Sequence, residues 1–505
     1  KRLEDVKVNK TLVLNINKAS RKLVLKQKVN RNINQVNPKR LGIDFIHKEN
    51  EFNDFSKQVL LPQKLSQKGP AISVADINND GLEDFFVGGA RNQSSEIYFQ
   101  NSINGFTKST QKTFEKDKGF EDVNSLFFDA DKDGDLDLYV VSSNYEVSEK
   151  SKFSEDRLYL NNGKGIFSKS NNLPKNLNAT NVVKAFDYDN DGDEDLFIGA
   201  SALSGKYPLS GESYVLENKK GVFKDVTKNV IDKFSEIGIV KDMLFSDIDN
   251  DGDKDLFVVG HWFPITLFMN EKGTFKKSKT TNFENTNGWF NTISEIDIDN
   301  DGNKDYVVGN LGNNNKFHPS KEKPLHIFAN NFDKNNTFDM VLSKEYKGNL
   351  VPLRGKECST QQNSFINNKT KTYKEFANST LIDIYGNKAL ETSYHNEVYE
   401  FSSILIKNNG DKTFTFQKFP NSAQLGPTQS FEITDINNDG LLEVIGVGAI
   451  HESEVETIRY DANIGYILTA TKDGDLVPYK DLNFYNAKNA KSIKSIKIGN
   501  ITYFI

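Results

Sequence analysis

Residues 247–260 read DIDNDGDKDLFVVG. Carboxylates stand at the first, third, fifth and ninth places, Asp247, Asp249, Asp251 and Asp255, and a glycine, Gly252, at the sixth. Four anions in one nine-residue turn repel one another unless a cation sits among them. Hard oxygen donors at this spacing, with a backbone carbonyl near the seventh place and a glycine for the sharp bend, suit Ca²⁺. An EF-hand opens in the same way, but it needs a bidentate Glu at the twelfth place and a helix on each side. Here the twelfth residue is Val258, and the flanks, MLFS before and DLFVVG after, are strand-like. The stretch therefore reads as a calcium loop inside a β-hairpin.

The pattern recurs. DINNDGLED starts at Asp76, DADKDGDLD at Asp129, DYDNDGDED at Asp187, DIDNDGNKD at Asp297 and DINNDGLLE at Asp435, each followed by an apolar strand. Successive starts from Asp76 to Asp297 lie 53, 58, 60 and 50 residues apart. Periods of roughly 40–60 residues with several strands per unit indicate an all-β propeller, because one small sheet cannot bury both of its faces alone. Seven blades are expected, with eight also open. Six Ca²⁺ sites follow, each with its candidate ligands. They are Asp76, Asn78, Asp80 and Asp84; Asp129, Asp131, Asp133, Asp135 and Asp137; Asp187, Asp189, Asp191, Asp193 and Asp195; Asp247, Asp249, Asp251, Asp253 and Asp255; Asp297, Asp299, Asp301, Asn303 and Asp305; and Asp435, Asn437, Asp439, Leu441 and Glu443. Leu441 can serve only through its carbonyl. The loops at Asp76 and Asp435 have fewer carboxylates, so their affinity should be lower.

Composition narrows the class. A formal net charge of −6 with no basic stripe argues against a general nucleic-acid binder. Six bound ions would bring the chain to about +6 on the same count. One cysteine, Cys358, rules out an internal disulfide, and metal can take the place of disulfides in an exported protein. Free Ca²⁺ is abundant outside cells, which favours an exported location. No run of 18 apolar residues is present to form a membrane-spanning helix. The chain opens on Lys1, so an export signal is expected to have been removed or to lie upstream.

Along the chain, residues 1–40 read as the tail of an upstream domain plus a linker, with TLVLNI and KLVLKQ as short strands. Residues 41–505 read as the propeller. Outer hairpins recur with Asn-x-x-Gly-x-Phe turns at Asn218 to Phe223 and Asn270 to Phe275. NFDKNNTFD, from Asn331 to Asp339, keeps the loop spacing with only two carboxylates, and it reads as an eroded, empty calcium loop. YKEFANSTLIDIYG, Tyr373 to Gly386, has helical spacing and predicts a short helical insertion in blade six. The terminal IKSIKIGNITYFI reads as a strand pair that closes the ring against the N-terminal segment.

The loops resemble FG-GAP or VCBS repeats, as seen in integrin-type propellers. IDFIHKENEFNDF, LLPQKLSQKGPAISVADINNDGLEDFFVGGA, TKTYKEFANSTLIDIYG and VETIRYDANIGYIL further resemble bacterial surface proteins that combine such propellers with an ASPIC/UnbV domain. VKVNKTLVLNINKAS resembles the tail of that domain, which implies that this chain is the C-terminal half of a longer protein. The resemblance implies an exported lipoprotein on the outer membrane of a Gram-negative bacterium. It also implies a role as accessory subunit to a TonB-dependent, SusC/SusD-type nutrient importer, with the lipid anchor outside this chain. His261 departs from the family, which often has an acidic residue there.

Some calcium-bearing propellers are polysaccharide lyases, so fold alone does not exclude catalysis. Six histidines are present, with no HExxH, GxSxG, Walker or GxGxxG pattern, and nearly all clustered carboxylates are assigned to metal. A non-catalytic binding or scaffold module is therefore expected, with a secreted calcium-dependent lyase and an integrin-like adhesion module as alternatives. His261, Trp262, Asn310, Asn313 and Phe317 are the candidate contacts for a glycan, peptide or protein partner, because loops on rigid scaffolds carry recognition. Filling of blade interfaces is the competing reading for the tryptophans.

Overall fold

The structure is a computed structural model that describes residues 33–101, 105–279, 283–479 and 484–505. The domain tail expected over residues 1–40 lies mostly outside these; within them, Pro38–Leu41 forms a single 3₁₀ turn.

Each metal-loop motif joins two antiparallel strands. The strand after it is short, apolar and buried on both faces, as in Asp84–Val87, Asp137–Ser142 and Asp195–Ala200. Adding an outer hairpin gives a four-stranded meander. The first three sheets comprise Ile72–Ala75, Asp84–Val87, Glu96–Asn101 and Gly105–Ser109; Asp122–Phe128, Asp137–Ser142, Arg157–Leu160 and Ser168–Lys169; and Thr180–Phe186, Asp195–Ala200, Tyr214–Lys219 and Val222–Asp225. The fourth comprises Ile239–Ser246, Asp255–His261, Thr266–Glu271 and Thr274–Lys277. The fifth comprises Thr292–Ile296, Asp305–Gly309, Ile404–Asn408 and Phe414–Lys418, and the sixth Ser430–Thr434, Glu443–Val447, Tyr466–Ala470 and Leu476–Pro478.

The first strands of successive sheets touch one another from the first sheet to the sixth, so the sheets stand radially around an axis. The chain is a β-propeller. Apolar side chains of neighbouring sheets fill the gaps; Phe197 of the third sheet, for example, meets Phe245 and Phe275 of the fourth edge-on at 4.9 and 5.4 Å.

A two-stranded hairpin, Ser495–Ile498 with Ile501–Phe504, closes the ring. Ile496 and Ile498 pack on Phe85, Val87 and Tyr98 of the first sheet together with Leu41, Ile43 and Phe45, while Ile493 packs on Ile445 and Val447 of the sixth. The terminal strand pair thus meets the N-terminal segment, as its alternation suggests. Set against the expected seven or eight blades, the ring among the described residues holds six four-stranded sheets and this hairpin.

The insertion differs from expectation. It lies within the fifth blade, whose second strand, Asp305–Gly309, pairs with Ile404–Asn408 only after about 95 intervening residues. Those residues build a further four-stranded sheet, ordered Asn349–Pro352, Asp339–Tyr346, Leu325–Asn330 and Tyr394–Val398, and five short helices. Two of the helices, Tyr373–Ala377 and Leu381–Tyr385, open on capping boxes at Thr372 and Thr380. Their apolar residues Phe376, Leu381, Ile384 and Tyr385 pack on one face of the inserted sheet.

The other face of that sheet, Leu325, Ile327, Ala329, Met340 and Leu342, joins one core with Tyr145, Tyr207, Trp262, Trp289 and Leu311. These residues lie at the strand ends away from the metal loops, so the insertion caps that face of the ring. Leu60, Leu61 and Leu65 are buried in the same core, which places residues 54–68 between ring and cap. Gln58 ties the layers together. Its Nε2 donates to the carbonyls of Tyr207 and Phe338, both at 2.9 Å, and its Oε1 accepts from Tyr145 Oη at 2.9 Å.

An axial channel of about 620 Å³ remains, lined by the first strands of all six sheets and by residues 491–495. It narrows beneath residues 63–68 and reaches the metal loops at Ala75, Glu83 and Leu136.

Candidate metal centres

All six loops have the same backbone. The fourth residue is left-handed in each, at Asn79, Lys132, Asn190, Asn250, Asn300 and Asn438, with φ between 57° and 62°. The sixth is a left-handed glycine, with φ from 83° at Gly81 to 95° at Gly252. In five loops the glycine N–H donates to the first carboxylate: Gly81 to Asp76 at 2.8 Å, Gly134 to Asp129 at 3.1 Å, Gly192 to Asp187 at 2.9 Å, Gly252 to Asp247 at 3.1 Å and Gly440 to Asp435 at 2.9 Å. That bond turns the first side chain into the loop.

The ninth residue is buried, and in five loops it is held by two backbone donors; Glu443 accepts from Ile436 N at 2.8 Å and from Thr469 Oγ1 at 2.9 Å. Asp255 accepts from Ile248 N at 3.2 Å and from Asn270 N, in the third strand, at 2.7 Å; Asp84, Asp137, Asp195 and Asp305 repeat both bonds. Burial nevertheless dominates their titration, with the neighbouring loop acids adding to it. It pushes Asp84, Asp137 and Asp195 up to about 7, and Asp255 and Asp305 up to about 6.

Carboxylate oxygens converge within 4.8 Å in four loops: Asp129, Asp131 and Asp137; Asp187, Asp189 and Asp195; Asp247, Asp249 and Asp251; and Asp297, Asp299 and Asp301. These are the loops with an aspartate in third place. The loops at Asp76 and Asp435 have Asn78 and Asn437 there and bring together fewer anions. Buried oxygens without any donor occur at Asp129, Asp187 and Asp297 in first place and at Asp131 and Asp249 in third. Buried carboxylate oxygens aimed at one another without a proton donor fit a hard divalent cation ringed by oxygens.

The seventh residue behaves differently. Asp135 accepts from Asn79 Nδ2 at 3.0 Å, Asp193 pairs with Lys132 at 3.1 Å, and Asn303 accepts from Asn250 Nδ2 at 3.2 Å. In each case the fourth residue of one loop reaches the seventh of the next, so these side chains link neighbouring blades. In these three loops the side chain is turned to the neighbouring blade and the carbonyl is the donor left facing the loop, as at Leu441; Asp253 has no such cross-blade partner among the described residues.

A second link escapes a reading of the sequence alone. The Asn of the outer turn donates to the loop of the preceding blade: Asn161 Nδ2 to Ile77 O at 2.8 Å, Asn218 Nδ2 to Ala130 O at 2.9 Å and Asn408 Nδ2 to Ile248 O at 2.9 Å. The recurring Asn-x-x-Gly turn was its only signal.

The eroded loop from Asn331 to Asp339 lies in the inserted sheet, where it joins Leu325–Asn330 to Asp339–Tyr346. It keeps the backbone, with left-handed Lys334 and Asn336 and a bond from Phe332 N to Asp339 at 3.1 Å. The inserted sheet is thus built like a blade, moved out of the ring.

Three of the candidate contact residues are internal. His261 stacks on Trp289, Trp262 Nε1 donates to Tyr207 Oη at 2.6 Å, and Asn310 is fully buried, bonding Glu400 O at 3.1 Å. Their place in the core under the cap does not fit partner contact; both tryptophans are structural, but they fill the layer between ring and inserted sheet and not the interface between two blades. Phe317 is half-buried against Trp289 and Phe401; Asn313 is exposed.

A family model described as FG-GAP-like repeat matches residues 76–140, 129–198 and 247–308. The chain carries FG-GAP-like repeats in these three places. Among solved structures, it is similar to a lectin of Agrocybe aegerita described as recognising non-reducing terminal N-acetylglucosamine. That likeness has 15% identity and a TM-score of 0.46, and covers 84% of this chain and 82% of the other. It is also similar to the Vibrio cholerae biofilm matrix protein Bap1, with 10% identity, a TM-score of 0.30, and 87% and 84% covered. Neither likeness is close enough to carry fold or function across. No curated protein matches the chain in sequence.

Proposed function

We propose that the chain is a non-catalytic, calcium-stabilised binding and scaffold module on the outside of a Gram-negative cell. In this reading it is anchored through a segment outside this sequence and docks on a TonB-dependent importer of the SusC/SusD type. The carrying observation is the set of like-built loops, four of which converge three carboxylates each, with buried oxygens left for a cation. Ca²⁺ suits this donor set and is plentiful outside cells. Its charge would join the first, third and fifth residues, fixing the ends of the inner strands. The importer role is supported by the resemblance of the segments around Ile43, Leu60 and Thr370 to the surface family. Purification from detergent-solubilised membranes tests it: recovery with a β-barrel transporter is expected, and recovery always alone would defeat the docking role.

One observation favours the lyase reading. Lys68 faces the axial channel, and burial lowers its pKa to about 7, within the range of a general base. Turnover of an acidic glycan by the chain alone would establish that reading in place of the first.

A further inference from the structure

The axial channel concentrates positive charge in a chain whose formal net charge is −6. Lys68, Lys184, Lys241, Lys491 and Lys494 line it, against Glu83, Asp242 and Glu432. Asp242 is already engaged, by Lys184 Nζ at 3.0 Å, Thr292 Oγ1 at 3.0 Å and Ile293 N at 3.1 Å. Glu83 sits near the metal-loop mouth, where it accepts from Lys497 N at 2.6 Å.

Beneath the cap the lining groups are cationic, and the carboxylates that act on them stand behind the wall: Glu121 and Asp54 on Lys68, Asp242 on Lys241, and Glu49 and Glu452 on Lys491. Lys64, Lys68, Lys241, Lys491 and His261 line the narrow end, and no carboxylate does. Lys64 has Glu452 at 3.7 Å. The other three ammonium groups have no carboxylate within 4.0 Å among the described residues. Lys68 donates to the hydroxyls of Ser143 and Ser201, and Lys491 to Ala449 O at 3.3 Å, all neutral acceptors.

The three side chains are only half-buried because they border the channel, yet protein surrounds them on every side. Burial and mutual repulsion bring Lys68 down to about 7 and Lys491 to about 8, and burial brings Lys241 to about 8. Asn181, Asn291 and Gln429 supply amide groups in the same space. Convergent cations with polar neighbours at the end of a channel make an anion receptor, since low-dielectric walls focus the field. The narrow end itself has about 60 Å³, on the scale of one small oxyanion, and it opens into the wider channel of about 620 Å³, which can take the rest of a larger solute.

We propose that the capped end of the channel binds a tetrahedral, doubly charged oxyanion, a phosphate or sulfate group, held by Lys68, Lys241 and Lys491. The group enters from the metal-loop face, because residues 54–68 and the insertion cover the other. The site goes beyond the docking role and stands whether or not that role holds.

Calorimetric titration of the calcium-loaded chain with inorganic phosphate, and separately with glucose 6-phosphate, tests this. Saturable one-site binding of either probe is expected. Preference for the ion points to a free solute, and preference for the ester to a phosphorylated one. Lys241→Met and Lys491→Met should each weaken binding about tenfold or more, as loss of a charge-assisted contact does. Lys228→Met, on the exposed surface, should leave it unchanged. Loss of unpaired charge should keep both channel variants folded, which thermal melting checks. Should either fail to fold, wild-type crystals soaked in selenate must show an anomalous peak among the three ammonium groups. Absence of saturable binding, binding indifferent to both channel substitutions, or a crystal without that peak would overturn the proposal.

Discussion

Chelation and pH, varied together, probe the metal loops most directly. In the metal-free fold, the ninth-place acids Asp84, Asp137 and Asp195 titrate near 7, and Asp255 and Asp305 near 6, mainly because burial penalises their charge. In the unfolded chain each returns to the ordinary value of about 3.9. A folded-state pKa above the unfolded one means that the folded state holds its proton longer. Stability of the chelated protein therefore falls as pH rises from about 4 to about 7, and the full penalty is present above that.

A shift of two to three units is ~3–4 kcal/mol per acid. The loops face water on one side, and screening cuts that to ~1–2 kcal/mol. Five such acids sum to ~5–10 kcal/mol, as large as the whole stability of an ordinary domain. Calcium reverses the trend, because it binds the ionised form and, at a hundredfold over its Kd, adds about 2.7 kcal/mol per site. Melting temperatures recorded from pH 5 to 8 should fall with pH in EGTA and rise with pH in millimolar calcium. Equal melting temperatures at pH 8 with and without chelator would refute the reasoning, as would a chelated protein that gains stability with pH.

Asp249→Asn leaves carboxylates at the first, fifth and ninth places, as in the loop at Asp76, so calcium titration should show one site move from the tight class to the weak one while the other loops are unchanged. Asn218→Ala should cost about 2–3 kcal/mol in urea unfolding, because the buried carbonyl of Ala130 loses its donor; a loss under about 0.5 kcal/mol would deny the blade-to-blade tie. Trp262→Ala should cost about 3–5 kcal/mol, where an exposed contact residue would cost under about 1 kcal/mol. Arg354→Met removes one of the two cations on buried Glu454, the one at 2.7 Å, and leaves Lys316 at 2.9 Å; hydrogen exchange in Lys356–Gln362 should then quicken before exchange in the ring.

The radial sheets were legible because two signals coincide at each loop: anions every second residue, then a strand. The place of the insertion was not. The inserted sheet has strand periodicity and even the loop backbone at Lys334 and Asn336, so local sequence reads it as the next blade in the ring. Only the pairing of Asp305–Gly309 with Ile404–Asn408 shows otherwise, and no periodicity encodes a contact at that separation. The seventh loop position misled for a related reason. Asp135 and Asp193 have the chemistry of ligands, but their directions are set by Asn79 and Lys132 of the preceding blade. The channel lysines were invisible as a group, since Lys68, Lys241 and Lys491 are scattered among 64 basic residues and meet only when the ring closes.

The two charge systems share one channel, and their order along it has a consequence. The metal loops ring the open end, where Glu83 and Leu136, the eighth residues of the first two loops, line the wall. The unpaired ammonium groups lie at the capped end. Without metal, an incoming anion must pass a collar of carboxylates before it meets any cation, and focused repulsion at that mouth slows entry. With calcium in the loops the same collar stays acidic but loses two negative charges per filled site, so the barrier at the mouth falls while the cations at the cap are unchanged. Calcium would then do more than brace the strands. Phosphate association should be faster in calcium than in EGTA at a pH where both forms stay folded, and added sodium chloride should shrink the difference as it screens the collar.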